Sequence, residues 1–135
     1  MPNRELTDRT CIRVDADPDK LEHLRKSVMA NDRLVGLAAY MSAVSNETRL
    51  RMLYVLWEAG ELCVCDLADI FGISQPAVSR HLKILREKAL VETRRDAQTI
   101  YYRVCRDNPF AQMLVALFEA QETDRITLNL KDITQ

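Results

Sequence analysis

The sequence predicts one mainly α-helical domain that carries a single β-hairpin, and three patterns lead to this expectation. Apolar residues recur at intervals of three and four over most of the chain, which is the spacing of amphipathic helices. Two helical segments are separated by a short turn at Gly72-Ile73-Ser74, as in a helix-turn-helix. The apolar period then changes to two over residues 90–104, which is typical of paired strands. A helix-turn-helix followed by a hairpin is the arrangement of a winged helix-turn-helix.

The length and composition fit one folded domain. The chain has 135 residues, of which 47% are hydrophobic and 29% charged, with only 3 Gly and 4 Pro, so few long loops are expected. We expect residues 1–16 to form an N-terminal arm, residues 17–123 the domain with its dimerisation helices, and residues 124–135 a tail. The N-terminus lacks the apolar segment of a signal peptide and no run approaches about 18 apolar residues, so we expect a cytoplasmic protein without a membrane partner.

Three helices are predicted before the helix-turn-helix. Asp17-Pro18-Asp19 favours the start of the first, because acidic residues and proline suit a first helical turn. Residues 31–32 and 45–46 offer caps for the second and third helices, and the third stops near Gly60. Each helix carries an apolar stripe, so we expect all three to contribute to a core.

The helix-turn-helix is the most clearly marked part of the chain. A short helix over residues 66–71 is followed by a longer one from about Gln75 to Lys88. Ser74 is a good N-cap for the longer helix. Pro76 lies in the first turn, where a backbone N–H would have no partner within the helix, so proline loses no hydrogen bond there. We therefore interpret the longer helix as the recognition helix.

Alternating residues after the recognition helix predict the wing. Residues 90–95 and 99–104 each alternate, and they flank a polar turn at residues 96–98. The turn lacks the Asn-Gly or Asp-Gly pair of tight hairpins, so its conformation is less defined than its existence.

A last helix is predicted after Asp107-Asn108-Pro109. Its apolar face is formed by Phe110, Met113, Leu114, Leu117 and Phe118. We prefer a dimer interface to packing against its own core, because helix-turn-helix proteins commonly pair to reach two half-sites. The predicted molecule is a homodimer joined through its N- and C-terminal helices.

The formal net charge of −1 conceals an uneven distribution along the chain. Residues 74–106 hold eight Lys or Arg against three acids, whereas the rest of the chain holds 11 basic and 17 acidic residues. The positive charge is therefore concentrated where the predicted reader lies, as nucleic-acid binding requires.

A recognition helix points the residues of its first turns toward the base edges of the major groove. The residues predicted to face the bases are Ser74, Gln75, Ala77, Ser79 and Arg80. Glutamine can bond adenine and arginine can bond guanine. The residues predicted to contact phosphates from helix and wing are His81, Lys83, Arg86, Arg94 and Arg95. A structural role is an equal alternative for His81. The expected partner of the whole surface is double-stranded operator DNA.

The four cysteines, at positions 11, 63, 65 and 105, need an explanation other than disulfides if the compartment is reducing. Metal ligation, redox sensing and inert burial remain. Side chains two apart on a formed helix point about 200° away from each other, so Cys63 and Cys65 could share an ion only at an extended segment or a helix start. Residues 61–66 lie at such a boundary.

Two thiolates are too few for a tight soft-metal site, which usually takes three or four ligands. Cys11 lies in a short extended-looking segment before the first helix and is a candidate third ligand. Asp15, four residues further on, could add an oxygen. We interpret Cys105, at the end of the second wing strand, as structural.

The run ELCVCDLADIFGISQPAVSRHLKILREKALVETRRDAQTIYYRV, with the preceding SNETRLRMLYVL, resembles the ArsR/SmtB family of bacterial metal-responsive repressors. The resemblance covers about residues 30–122, and Glu-Leu-Cys-Val-Cys-Asp-Leu is a marker of members that sense thiophilic metals. Residues 8–11 are most similar to the arm of the CadC-type cadmium and lead sensors.

The resemblance implies a repressor that binds its operator when metal-free and is released by Cd(II) or Pb(II), with Zn(II), Hg(II) or As(III) as further candidates. It also implies that Cys11 of one subunit joins Cys63 and Cys65 of the other. Asp15 stands where CadC-type arms carry a second cysteine, and Ala68 where arsenite sensors carry a third. The zinc site of other members needs histidines on the last helix, and residues 107–135 contain none.

Other functions stay open. One alternative is an arsenite-responsive repressor, and another is a repressor of the same fold that senses thiol oxidation. A DNA binder with silent cysteines is a third. No enzymatic activity is expected, because the chain lacks a paired catalytic base and the two-residue cysteine spacing of thiol oxidoreductases.

Overall fold

The computed structural model describes residues 14–15 and 17–123. Within these residues it contains the helices α1 (Pro18–Met29), α2 (Asp32–Val44), α3 (Glu47–Ala59), α4 (Val64–Phe71), α5 (Gln75–Glu87) and α6 (Pro109–Thr123), and the strands β1 (Leu62–Cys63), β2 (Val91–Asp96) and β3 (Thr99–Val104). The prediction of a mainly helical fold with a hairpin is therefore confirmed. Most of the predicted arm and the whole predicted tail lie outside the described residues.

The chain divides into two compact units, residues 1–36 and residues 37–135. The first unit contains α1 and the beginning of α2. Asp17 caps α1 by accepting a hydrogen bond from the Lys20 backbone N–H at 3.1 Å, as the acidic start predicts. None of the residues of α1, all of which are described, is buried. The expectation that its apolar stripe builds the core is wrong.

The second unit has one apolar core, shared by the end of α2, the helices α3, α4, α5 and α6, and the hairpin. Asn46 caps α3 by accepting from the Arg49 N–H at 3.0 Å, and Gly60 ends the helix with a positive φ of 94°. The core side chains are Ala43, Met52, Leu53, Leu56, Leu67, Val78, Leu82, Leu85, Leu90, Val91, Val104, Phe110, Ala111, Leu114, Val115 and Phe118. No helix in the described part of the chain is long and apolar enough to span a bilayer.

The turn of the helix-turn-helix fixes where the recognition helix α5 begins. Gly72 ends α4 in the left-handed region, with φ at 65°, a conformation that glycine adopts without strain. Ser74 caps α5 through its hydroxyl, which accepts from the Ala77 N–H at 3.2 Å. The inward face of α5 is formed by Val78, Leu82 and Leu85. The predicted cap and start of the recognition helix are confirmed.

The wing belongs to a three-stranded antiparallel sheet in the order β1-β3-β2. Strands β2 and β3 pair from Val91 with Val104 to Asp96 with Thr99, which leaves a two-residue turn in which Ala97 has a φ of 59°. Strand β1 pairs with the same β3 on its other side. The sequence does not predict β1, because two residues are too short to show an alternating pattern.

The predicted apolar face of α6 is divided in the structure. Phe110, Leu114 and Phe118 are buried in the core, whereas Met113 is 43% and Leu117 is 55% exposed. The Phe110 ring stacks on Tyr40 and the Phe118 ring contacts Tyr54 and Trp57. One side of α6 thus packs on its own domain, while a narrower apolar strip stays open.

Candidate DNA interface and thiol site

The predicted base-reading residues lie at the N-cap and in the first two turns of α5. Ala77 is half-buried, and the exposed members of the set are Ser74, Gln75, Ser79 and Arg80. Because successive residues of a helix are rotated by about 100°, Arg80 lies opposite the buried stripe of Val78, Leu82 and Leu85, whereas Gln75 and Ser79 flank it. The structure therefore leaves these four exposed side chains accessible, as groove reading requires.

A cleft of about 400 Å³ lies between α5 and the wing. Its lining is formed by Ser79, Leu82, Lys83, Arg86, Glu87 and Tyr102. The exposed cations Arg80, Lys83, Arg86 and Arg95 form no ion pair with any carboxylate in the described part of the chain. Their charges are therefore available to phosphate groups.

Arg94 differs from these cations because it already has partners. Its guanidinium donates to both carboxylate oxygens of Glu61, from Nε at 3.1 Å and from Nη2 at 2.5 Å, and lies 4.8 Å from the Tyr101 ring centroid. The Arg94 hydrogen bond lowers the pKa of Glu61 below its ordinary value. A phosphate contact by Arg94 would have to replace Glu61, a partner that sequence reasoning missed.

His81 also has a partner within the domain. Arg49 Nη1 lies 3.3 Å from His81 Nδ1, and since a guanidinium can only donate, Nδ1 accepts and the imidazole is neutral. Burial, followed by the charges of Arg49 and Arg80, lowers the pKa of His81. The contact joins α5 to α3 and agrees with the structural alternative, while the phosphate contact stays a prediction.

The segment Cys63-Val64-Cys65, here called the Cys-Val-Cys segment, lies at the junction of β1 and α4. Cys63 is the last residue of β1 and the N-cap of α4, with extended backbone at φ −95° and ψ 174°. Its backbone N–H donates to Asp66 Oδ2 at 3.2 Å, which secures the first turn of the helix. Cys63 is half-buried and Cys65 exposed. This is the strand-to-helix boundary at which two thiols can lie on one side.

Each cysteine of this segment contacts one of the two elements predicted to bind DNA. Cys63 is paired in the sheet with Tyr101 of β3, the second strand of the wing. The Cys65 Sγ accepts a hydrogen bond from Gln75 Nε2 of the recognition helix at 3.3 Å. Sequence spacing gives no signal of either contact, because both depend on how the elements pack.

The donor set fits part of a soft-metal site. Cys63 and Cys65 are free thiols, which thiophilic cations prefer. Over the described residues no group of three or more His, Cys, Asp or Glu is placed to hold a metal ion, so a third ligand would have to come from elsewhere. Cys11 lies outside the described residues, and Asp15 is exposed in the first unit. Cys105 is half-buried and its N–H donates to the Leu90 carbonyl at 2.9 Å.

The helix-turn-helix, its unpaired cations and the wing define a DNA-binding transcription regulator. Residues 46–93 match the arsR family of bacterial regulatory proteins. The chain is 33% identical over 100 residues to the cadmium resistance transcriptional regulatory protein CadC of Listeria innocua, a match that covers 74% of this chain and 80% of that protein. The chain belongs to the arsR family.

Two further relatives agree with this assignment. The arsenical resistance operon repressor of Escherichia coli is 46% identical over 61 residues, which is 45% of this chain and 52% of that repressor. The homodimeric winged helix-turn-helix DNA-binding domain, fragment 1–100, of a possible ArsR-family regulator from Mycobacterium bovis matches with a TM-score of 0.55 and 26% identity. That match covers 83% of this chain and 88% of the fragment.

Proposed function

We propose that this chain is a metal-responsive transcriptional repressor, which binds operator DNA as a metal-free homodimer and leaves it on binding a thiophilic metal. The observation that carries the proposal is the position of the Cys-Val-Cys segment, in which the Cys65 thiol contacts the recognition helix and the Cys63 backbone pairs with the wing. A cation bound there acts on both DNA-contacting elements at once.

The proposed effector is Cd(II) or Pb(II). Cys63 and Cys65 supply two thiolates, Cys11 of the other subunit supplies a third, and Asp15 can add an oxygen. Three thiolates suit large soft cations, and CadC of Listeria innocua is a cadmium resistance regulator. Zn(II), Hg(II) and As(III) are the competing effectors.

The proposed homodimer uses the apolar surfaces that the chain leaves open. Met113 and Leu117 are exposed on α6, and Leu21, Leu24 and Val28 are exposed on α1. Exposed apolar strips of this kind are commonly covered by a partner subunit. The relative from Mycobacterium bovis is homodimeric. In this arrangement residues 17–123 form the DNA-binding and dimerisation domain, residues 1–16 the ligand-bearing arm and residues 124–135 a tail.

The proposed DNA contacts are the ten exposed or half-buried residues identified on α5 and the wing. Bases are read by Ser74, Gln75, Ala77, Ser79 and Arg80. Phosphates are bound by His81, Lys83, Arg86, Arg94 and Arg95. Two recognition helices in one dimer then meet two half-sites of one operator.

The test is operator binding by fluorescence anisotropy at fixed salt, on a duplex selected from a random library by the metal-free protein. We expect Cd(II) or Pb(II) to weaken binding at least about tenfold, which corresponds to about 1.4 kcal/mol of coupling. Cys65→Ser and Cys11→Ser should abolish the response, and Cys105→Ser, the matched control, should keep it. Ultraviolet sulfur-to-metal charge-transfer absorption should follow the same pattern. Unchanged affinity of the metal-loaded wild-type protein would overturn the proposal.

Redox sensing is the second candidate, because Cys65 is a free and exposed thiol. An oxidant would then release the operator in the presence of a chelator, and metals would have no effect on reduced protein. Metal-driven release under reducing conditions excludes this alternative.

A further inference from the structure

The hydrogen bond between Gln75 and Cys65 joins two residues that the sequence treats separately. Gln75 is the first residue of the recognition helix and a proposed base reader, and Cys65 is a proposed metal ligand. The Gln75 amide Nε2 donates to the Cys65 Sγ at 3.3 Å across the turn of the helix-turn-helix. Both side chains are exposed, so the bond lies on the surface that would face the DNA.

The backbone at both ends of this bond is fixed. Ser74 caps α5 immediately before Gln75, and the Asp66 carboxylate holds the first turn of α4 around Cys65. Since neither backbone can shift without breaking a cap, the remaining freedom lies in the side-chain torsions of Gln75 and in the χ1 torsion of Cys65. The Cys65 sulfur selects among those torsions by accepting the amide N–H.

The amide chemistry allows Gln75 to hold the sulfur and a base together. A glutamine amide has two N–H donors and one carbonyl acceptor. Adenine presents an acceptor, N7, and a donor, N6, in the major groove, and glutamine satisfies both with one N–H and its carbonyl oxygen. The second N–H is then left for Cys65. A Gln75 bonded to sulfur therefore keeps one N–H and its carbonyl oxygen for an adenine.

We propose that the Cys65 sulfur orients the Gln75 side chain to read an adenine, and that Gln75 is the specificity-determining residue through which the Cys65 thiol acts on operator choice. The link to effector release rests on the function proposed above. A Cys65 side chain whose single χ1 torsion is set by coordination together with Cys63 places its sulfur differently, and Gln75 then loses its orientation.

The first experiment needs no metal. Reduced full-length protein in chelator is incubated with a library of duplexes, and base preferences at each operator position are measured for Cys65→Ala, Gln75→Ala and the double variant. We expect Gln75→Ala to lose an adenine preference of about tenfold at one position, and Cys65→Ala to lose about half of that preference on a logarithmic scale. The adenine preference of the double variant should be no weaker than that of Gln75→Ala alone, because both changes remove the same interaction.

Two control variants test the specificity of this double-mutant cycle. Cys65→Ser keeps an acceptor at the same position and should retain most of the adenine preference. Ser79→Ala changes another proposed base reader on the same helix. Its effect on base preference should be independent of that of Cys65→Ala, so that the two fold-changes multiply. An unchanged adenine preference in Cys65→Ala, or independent effects of Cys65→Ala and Gln75→Ala, would overturn the inference.

The second experiment adds Cd(II) to the wild-type protein, Gln75→Ala and Ser79→Ala. Gln75→Ala should bind the cation with unchanged charge-transfer absorption and yet lose most of its effect on DNA affinity, whereas Ser79→Ala should keep the ratio of metal-free to metal-loaded affinity. If Cd(II) fully releases Gln75→Ala from DNA, the link between Gln75 and effector release is contradicted. The proposed repressor function then remains intact. If metal does not release the wild-type protein, the proposed function fails, and the metal-free cycle still decides the role of Gln75.

Discussion

The recognition helix and the wing are held in place by different kinds of interaction. In α5, Val78, Leu82 and Leu85 are each at most 1% exposed, so the helix is positioned by apolar packing. The hairpin keeps most of its side chains at or near the surface, and Arg94 ties it to Glu61 at the start of the segment that leads to β1. Surface ion pairs are weak and screened by salt, whereas apolar packing is not. Val91 and Val104 anchor the base of the hairpin in the same core, so we expect only the outer part of the wing to be more adjustable than the helix.

The Cys-Val-Cys segment touches both regions by different routes. Cys65 contacts the recognition helix through one side chain, Gln75. Cys63 contacts the hairpin through the backbone pairing of β1 with β3. A change at the Cys65 side chain is therefore expected to alter which base is read, and a shift of the Cys63 backbone to alter where the wing lies.

The largest expected effect comes from removing packing beneath the recognition helix. Leu82→Ala should lower the free energy of unfolding by about 3 kcal/mol, because it leaves a cavity at a site that is 1% exposed. Ile100→Ala in the wing, at a site 36% exposed, should cost less than about 1 kcal/mol. Urea unfolding at one fixed protein concentration measures both. Equal losses would show that the two regions are packed alike.

A smaller loss is expected at the cap of the same helix. Ser74→Ala removes the hydroxyl that accepts from the Ala77 N–H and should cost about 1 kcal/mol of unfolding free energy. Ser79→Ala makes the same chemical change in the middle of α5 at an exposed position, and should stay within about 0.5 kcal/mol of the wild-type protein. Thermal or urea unfolding of the two variants side by side tests the cap, and indistinguishable stabilities would contradict it.

The ion pair between Arg94 of the wing and Glu61 can be removed without changing the core. Glu61→Gln removes the carboxylate that holds Arg94 most closely and leaves the longer contact with Asp96 at 3.9 Å, so Arg94 becomes more available to phosphate. We expect tighter operator binding at low salt, and a plot of log affinity against log salt that is steeper by about 1 for each phosphate gained by a subunit. Glu58→Gln is the control, because it removes the same charge at an exposed position nearby in α3. If both variants bind DNA equally more tightly, the cause is overall charge and not the release of Arg94.

Local signals explain why the recognition helix could be predicted from the sequence. Ser74, Pro76 and the inward stripe lie within one helix and its cap, so spacing alone defines them. The hairpin follows from alternation in the same way. The face of α6 was predicted as one apolar stripe, and only packing shows that Met113 and Leu117 lie outside the buried part.

The connections between these elements could not be predicted, because they join residues far apart in the chain. Strand β1 exists only because Leu62 and Cys63 meet Tyr102 and Tyr101 of β3, and two residues carry no pattern of their own. The Arg94–Glu61 pair and the Gln75–Cys65 bond span 33 and 10 residues. The candidate ligands of the thiol site followed from residue type and family resemblance, and its contacts with helix and wing needed the fold.

The smallest expected effect tests a titratable attachment of the recognition helix, the contact between His81 and Arg49. His81 accepts from Arg49, and burial, then the charges of Arg49 and Arg80, hold its pKa below the ordinary value of 6.5. Between that lowered pKa and 6.5 the unfolded chain binds more protons than the folded one, so stability rises with pH through this window and levels off below it. We expect the urea midpoint to fall as pH drops from about 7.5 to about 5.5, and His81→Gln, which retains an acceptor for Arg49, to remove most of that fall. A fall that persists unchanged in His81→Gln would assign the pH dependence to groups other than this imidazole.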